Sequence, residues 1–113
     1  MKFSEITDTE YTQLARRLVE DYSIVNECFN RLPLMDKVEK QLRLFVKEVQ
    51  ELTDQGHEYE RAKLAAFKTN KIYTEALVCG ADIDWVDKDW LNDIYRVDMK
   101  MNLYRFIDAH ILV

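Results

Sequence analysis

Residues 35–52 read MDKVEKQLRLFVKEVQEL and decide the fold class of this chain. Apolar side chains recur there at alternating spacings of three and four residues, which places them on one face of an α-helix. The members of this face are Met35, Val38, Leu42, Phe45, Val49 and Leu52. Charged residues such as Lys40 and Glu48 occupy much of the remainder and predict a solvated side. The stretch therefore predicts an amphipathic helix that packs through its apolar face.

Helix-ending signals lie on both sides of this stretch. Gly56 follows Thr53-Asp54-Gln55 and suits the left-handed position just past a helix C-terminus. On the other side, Arg31-Leu32-Pro33 predicts a turn, because the residue before a proline disfavours the α conformation. The second helix is thus predicted between these two breaks.

The segment before this turn predicts a first helix. Thr7-Asp8-Thr9-Glu10 matches a capping box. In this motif the Thr7 hydroxyl accepts a hydrogen bond from a free amide of the first helical turn, and the Glu10 side chain accepts one from the Thr7 amide. The apolar face of this helix continues to Phe29 and comprises Tyr11, Leu14, Leu18, Tyr22, Val25 and Phe29.

Two further helices are predicted after Gly56. The third runs from about Glu58 to Cys79 and ends at Gly80, with a face of small and aromatic residues: Tyr59, Ala62, Ala66, Tyr73, Ala76 and Leu77. The fourth follows an acidic stretch and has its predicted core face at Trp90, Ile94, Val97, Met101 and Tyr104, with Ile111 further along. The apolar residues 111–113 are expected to be covered by some contact, and this tail also suggests self-association.

Composition supports one helical domain over residues 1–113. The chain has 113 residues, of which only two are Gly and one is Pro, so it lacks the turn residues that sandwiches and barrels need. The predicted fold class is all-α, a compact antiparallel four-helix bundle. We also expect it to self-associate as a homo-oligomer, because a chain this short has difficulty covering four amphipathic helices alone.

Charge and cysteine content indicate which classes of partner and which cellular compartment are expected. Sixteen basic and 21 acidic residues give a net charge of -5, which disfavours nucleic acid as a partner. No apolar run approaches the roughly 20 residues that span a bilayer, so no membrane association is predicted. Cys28 and Cys79 form no close-spaced metal motif and are interpreted as buried thiols. These features predict a cytoplasmic protein.

The candidate partner-binding segment is acidic and aromatic. Its residues are Asp82, Asp84, Trp85, Asp87, Asp89, Trp90 and Asp93. Tryptophans among carboxylates can anchor a protein with a basic surface, because aromatic residues contribute much of the energy of interface hot spots. The alternative interpretation is a helix cap followed by tryptophans of the core.

The residues that could support catalysis form no complete set. Serine occurs only at Ser4 and Ser23, and neither cysteine has a histidine beside it. Neither His57 nor His110 follows a glutamate by three residues, the spacing of di-iron bundles. We therefore predict no catalytic residue and no cofactor, and we expect an adaptor, inhibitor or subunit that acts by protein–protein interaction.

One stretch suggests an enzymatic alternative. Residues 42–52 read LRLFVKEVQEL and place Glu48 and Glu51 one helical turn apart. This stretch resembles the first metal-binding helix of the MazG-like nucleoside triphosphate pyrophosphohydrolases. The resemblance implies a Mg²⁺ site at Glu48, Glu51 and Glu60 in a degenerate or divergent enzyme. Lys63 stands where that family has a further acidic ligand, which would leave the metal charge poorly balanced.

Overall fold

The described part of the chain is mostly helical. A computed structural model describes the backbone of residues 2–22, 31–70, 72 and 88–112, and the side chains of residues 2–21, 35–70, 72 and 97–112. Its elements are β1 (Lys2–Phe3), α1 (Asp8–Tyr22), α2 (Arg31–Asp54), α3 (Tyr59–Thr69), α4 (Lys88–Asp108) and β2 (Ile111–Leu112). The prediction of a mostly helical chain is confirmed. The two short strands were not predicted.

The apolar face of α2 lies at the centre of the core, as predicted. Val38, Leu42, Phe45 and Val49 are fully buried, whereas Met35 and Leu52 at the two ends are partly buried and pack against them. Side chains from α1, α3 and α4 surround this face. Burial of each of these α2 side chains stabilises the fold by roughly 1.5–3 kcal/mol.

The two ends of α2 differ in how well the sequence predicted them. Gly56 has a φ of 96°, and the N–H groups of Gly56 and His57 donate to the carbonyls of Thr53 and Leu52. These two bonds form a Schellman motif, so the predicted C-terminal stop is confirmed. The predicted turn at Arg31-Leu32-Pro33 is wrong, because α2 already begins at Arg31. Pro33 is tolerated there because amides in the first helical turn have no intrahelical acceptor.

The capping box at the start of α1 is confirmed. The Glu10 amide donates to Thr7 Oγ1 at 3.2 Å, and Thr7 Oγ1 lies 3.1 Å from Glu10 Oε1. Leu14 and Leu18 are buried, and so is Tyr11, whose ring lies 4.4 Å below the Arg43 guanidinium of α2. Burial raises the pKa of Tyr11. The predicted continuation of this helix to Phe29 lies outside the described residues.

The prediction of an unbroken third helix from Glu58 to Cys79 is wrong, because α3 ends at Thr69. Asn70 has an extended backbone, its Nδ2 donates to the Gln41 carbonyl at 2.8 Å, and its Oδ1 accepts from the Ile72 amide at 3.0 Å. These side-chain bonds replace helical ones, which explains why the helix stops here. The predicted face is confirmed at Ala62 and Ala66, which are buried. Its members Tyr73, Ala76 and Leu77, like the predicted end at Cys79 and Gly80, lie outside the described residues.

The predicted core face of α4 is wrong at Val97 and Met101, whereas its member Tyr104 is partly buried against the core. Met99, Leu103 and Ile107 are fully buried, whereas Val97 and Met101 are exposed. Two ring contacts fix this rotation of the helix: Tyr104 stacks on Phe45 of α2, and Phe106 packs against Tyr11 of α1.

The chain ends lie together at the end of α4. Lys2 pairs with Leu112 and Phe3 with Ile111 in an antiparallel register. Ile111 and Leu112 thus pair with the N-terminal strand, although the Leu112 side chain is 53% exposed. The prediction that Ile111 continues the helical face is wrong. None of the helices in the described ranges is long and apolar enough to cross a membrane.

Candidate functional site

Apolar residues expected in the core form an exposed face of α4. Val97 is 53% exposed and Met101 is 41% exposed. They are four residues apart and therefore share one side of the helix, which positions 90 and 94 continue toward its N-terminus. We call positions 90, 94, 97 and 101 the outer face of α4, and Met99, Leu103 and Ile107 its inner face.

A shallow groove separates the outer face from α3. It has a volume of about 230 Å³ and is lined by Leu64, Phe67, Lys68, Val97 and Lys100. Leu64 is 41% exposed, because Ala62 and Ala66 are the residues of α3 that enter the core. The groove therefore combines apolar side chains with two lysines, a composition suited to an apolar segment that carries acidic residues.

The structure describes only part of the predicted partner-binding segment, and of that part only the backbone. Asp82, Asp84, Trp85 and Asp87 lie outside the described residues. Asp89, Trp90 and Asp93 lie within α4, but their side chains are outside the described part. Positions 90 and 93 precede Val97 by seven and four residues, so helical periodicity places both on the side of the helix that carries Val97. Positions 88–93 of the acidic segment thus precede Val97 on the same helix.

Lys63 forms a buried cluster that the sequence did not predict. The side chain is 3% exposed, and its Nζ lies 3.0 Å from Asp108 Oδ1 and 3.2 Å from Glu60 Oε1. The same Nζ lies 4.4 Å from the ring centroid of Tyr59 and 4.7 Å from that of Tyr104. These ionic and cation–π contacts join α3 to the C-terminal end of α4.

The tyrosines of this cluster favour their neutral forms. Burial, and then the hydrogen bond that the Tyr59 hydroxyl donates to Asp108, raise the pKa of Tyr59 far above its usual range. Burial also raises the pKa of Tyr104. Because the Lys63 ammonium is enclosed by these groups, the cluster is suited to holding two helices together rather than to binding a ligand.

A second polar cluster joins the two ends of the chain. Ser4 Oγ lies 2.9 Å from His110 Nδ1, and His110 Nε2 lies 2.7 Å from Glu10 Oε2. The Ser4 amide also donates to the His110 carbonyl at 2.7 Å. We call Ser4, Glu10 and His110 the terminal cluster. The capping box pointed to Glu10, but no local signal pairs residues that are 106 positions apart, as Ser4 and His110 are.

Ser4, His110 and Glu10 follow one another in the order serine–histidine–carboxylate of a hydrolytic triad. A catalytic role would require the Ser4 hydroxyl to face a groove that can hold a substrate. A groove of about 410 Å³ lies beside it, lined by Glu10, Gln13, Leu14, Arg17, Phe106, Ala109 and His110. Ser4 is not among the described residues that line it. A nucleophile must face its substrate, so this geometry favours a structural role for the Ser4 hydroxyl.

The carboxylates of the enzymatic alternative have separate partners. Glu48 accepts hydrogen bonds from Thr69 Oγ1 at 2.9 and 3.1 Å. Glu51 lies 3.9 Å from Lys47 Nζ, and Glu60 lies 3.2 Å from Lys63 Nζ. Glu48 and Glu51 line one groove of about 460 Å³, and Glu60 is not among the described residues that line it. Within the described ranges, no group of three His, Cys, Asp or Glu side chains could hold a metal ion.

No family model, no curated protein and no solved structure matches this chain. The functional proposal therefore depends on the geometry of the described residues. Of the surfaces described above, the outer face of α4 differs most from the surface expected of a solvated helix.

Proposed function

We propose that this protein acts by binding another protein chain rather than by catalysis, and that the outer face of α4 is its contact surface. The observation that supports this most directly is the exposure of Val97 and Met101. The two residues belong to a series at positions 90, 94, 97 and 101 with the spacings 4, 3 and 4, which are typical of helices that pack against helices. A solvated helix face has no need of this spacing, whereas an interface does.

The free energy of association expected from these side chains is that of a specific interface with modest affinity. Removing the exposed parts of Val97, Met101 and Leu64 from water would stabilise a complex by roughly 1 kcal/mol each. Lys68 and Lys100 at the groove would add selectivity for a partner with nearby carboxylates. The acidic segment at residues 82–93 would in turn favour a basic region of the partner.

The proposal includes the finer architectural and cellular predictions. We propose that the four helices are arranged as an antiparallel bundle whose uncovered face is completed by the partner. We further propose that the protein works in the cytoplasm, where Cys28 and Cys79 stay reduced.

Photo-cross-linking tests the contact surface. A photoreactive phenylalanine analogue would replace Met101 in one variant and Arg16 in the control, since Arg16 is exposed on α1. After irradiation in cells of the source organism, we expect a covalent protein adduct from position 101 and none from position 16. Adducts from neither position, or equally from both, would contradict the proposal.

A further inference from the structure

We infer that the solvent-facing side of α2 is a second contact surface, at which two copies of this chain pair with their α2 helices antiparallel about a two-fold axis at Leu44. The residues of this side are Lys37, Lys40, Leu44, Glu48 and Glu51, and we call them the charged face of α2. Their spacings of 3, 4, 4 and 3 residues place them on one side of the helix. This face lies on a different helix from the contact proposed on α4, so the inference goes beyond the proposed function.

Leu44 is the apolar member of the charged face. Its side chain is 45% exposed, although it lies near the middle of α2 and its neighbours Leu42 and Phe45 are fully buried. Leu44 lines two grooves, one of about 380 Å³ and one of about 460 Å³. A second helix laid along this face would therefore find space for its side chains beside Leu44. One leucine provides little apolar burial, so the charges must give the contact its specificity.

The charges of this face are divided between its two halves. Lys37 and Lys40 lie before Leu44, and Glu48 and Glu51 lie after it. Within the part of the chain that the structure describes, neither of these lysines has an ion-pair partner.

The two carboxylates keep most of their charge available to a partner. Glu48 accepts hydrogen bonds from the hydroxyl of Thr69, which is neutral and leaves the carboxylate charge unbalanced. Glu51 is 57% exposed and lies 3.9 Å from Lys47 Nζ, at the limit of an ion pair. Exposed pairs of this kind contribute little free energy, so they compete weakly with a new partner.

A two-fold axis through Leu44, perpendicular to α2, brings the opposite charges together. Under this symmetry, a position a given number of residues before 44 faces the position the same number of residues after 44 in the other copy, both along the helix and around it. Lys40 therefore faces Glu48 of the second copy, about 6 Å along the helix from the symmetry axis. Lys37 faces Glu51 of the second copy, about 10 Å from the symmetry axis. Each pair occurs twice, so ion pairs flank the two Leu44 side chains at both ends.

The same charges disfavour the parallel arrangement. In a parallel pair in register, each lysine would face the same lysine of the second copy and each glutamate the same glutamate, and like charges repel. Interhelical charge pairs set orientation in this way in coiled coils. The pattern is complementary to itself in the antiparallel direction, which is why a second copy of this chain is the occupant that fits it.

Sedimentation of the purified full-length chain tests the dimer. Surface ion pairs are weak and are screened by salt, so we expect a reversible change from one to two copies at concentrations up to roughly 1 mM. Raising the salt concentration from about 0.05 to about 0.5 M should raise the Kd by about fivefold. A single copy at every concentration, or a dimer that salt does not weaken, would overturn the inference.

Charge exchange tests the register. Lys40→Glu and Glu48→Lys should each raise the Kd by about tenfold, because each change makes two facing pairs repulsive. The two changes together in every copy should restore the Kd of the unmodified chain to within about twofold. The single changes alter the net charge in opposite directions, so a general effect of charge cannot account for both losses. Failure of the double variant to restore the dimer would overturn the antiparallel register.

A substitution at the symmetry axis tests the position of the contact. Leu44→Asp should raise the Kd by about tenfold or more, because it places two carboxylates against each other at the axis. Leu112→Asp is the matched control, because Leu112 is a 53% exposed leucine on β2, and it should leave the Kd within about twofold. Circular dichroism should show equal helix content in both variants. A dimer that Leu44→Asp leaves intact would overturn the inference.

The two contact surfaces can be tested separately. A single copy in sedimentation, together with a cross-link from position 101 to another protein, would overturn this inference and leave the proposed function standing. A dimer that responds to the changes in α2 without any cross-link from position 101 would support this inference and contradict the contact proposed on α4.

Discussion

The inner face of α4 and the described part of its outer face are both apolar, but they differ in exposure. Met99, Leu103 and Ile107 of the inner face are fully buried, whereas Val97 and Met101 of the outer face are 53% and 41% exposed. The outer face has the alternating spacings of four and three residues, which predicted it as the core face. This difference shows that a regular apolar spacing does not by itself indicate which face of a helix is buried in the core of the same chain.

Polar and aromatic contacts explain which face turned inward. The stacking of Tyr104 on Phe45 and the ion pair between Asp108 and Lys63 both act near the C-terminal end of α4. His110, just after the helix, contacts Ser4 and Glu10. Together these contacts fix the rotation of α4 about its axis and leave Val97 and Met101 exposed.

The largest expected difference between the faces is in the effect of truncation. Leu103→Ala should lower the free energy of unfolding by about 3 kcal/mol, because it leaves a cavity in the core. Met101→Ala, its control, should lower it by less than about 1 kcal/mol. Urea denaturation followed by circular dichroism, at a concentration where the chain sediments as a single copy, gives both values. Equal losses from the two substitutions would contradict the assignment of the faces.

The next largest effect should come from the ion pair that secures the inner face. Asp108→Asn removes the carboxylate nearest to the buried Lys63 ammonium and should lower the free energy of unfolding by about 2 kcal/mol. Adding Lys63→Met should recover part of this loss, because no charge is then left buried. A double-mutant cycle measures the coupling. Strictly additive losses would show that the pair does not hold α3 to α4.

A smaller effect is expected from the terminal cluster. His110→Ala removes the side-chain contacts to both Ser4 and Glu10 and should lower the free energy of unfolding by about 1 kcal/mol. Hydrogen exchange of the Ser4 amide should accelerate, since its bond to the His110 carbonyl would open more often. Glu5→Gln, at an exposed position next to Ser4, is the control and should change neither quantity. Unchanged exchange in the His110 variant would contradict the role of the cluster.

The smallest effect at neutral pH, and one that grows in alkali, concerns Tyr59. The folded state raises the pKa of this phenol, so the stability that the neutral phenol contributes is complete below the unfolded value of about 10 and declines as the pH rises above it. Tyr59→Phe should therefore make the alkaline loss of stability shallower. Urea midpoints of both proteins between about pH 8 and 11 test this sign. A steeper loss in the variant would contradict the raised pKa.

Local signals predicted the elements whose causes are local. The capping box of Thr7 and Glu10 and the left-handed Gly56 were both confirmed, because each depends on bonds within one helical turn. The core face of α2 was also correct, since no second apolar stripe of similar strength competes with it. The acidic residues of the predicted binding segment remain a prediction, because their side chains lie outside the described residues.

The errors have causes that involve other parts of the chain or a weak local preference. Asn70 ends α3 by bonding to Gln41 of α2, a residue 29 positions earlier, which no local rule anticipates. The prediction of a turn at Pro33 depends on the effect of a proline on the preceding residue, whereas a proline is also compatible with the first turn of a helix. The sequence identifies Lys63 only as a replaced metal ligand, since a buried lysine becomes plausible only when Asp108 is beside it.

The sequence by itself determined that this chain is helical, where α1 begins, where α2 ends and which face of α2 is buried. These features depend on residues no more than a few positions apart, whose interactions are present in any compact form of the chain. Only the tertiary structure decided the rotation of α4, the burial of Lys63 and the pairing of Ser4 with His110. These depend on contacts between distant segments, and two apolar stripes on one helix are equivalent until such contacts bury one and leave the other exposed.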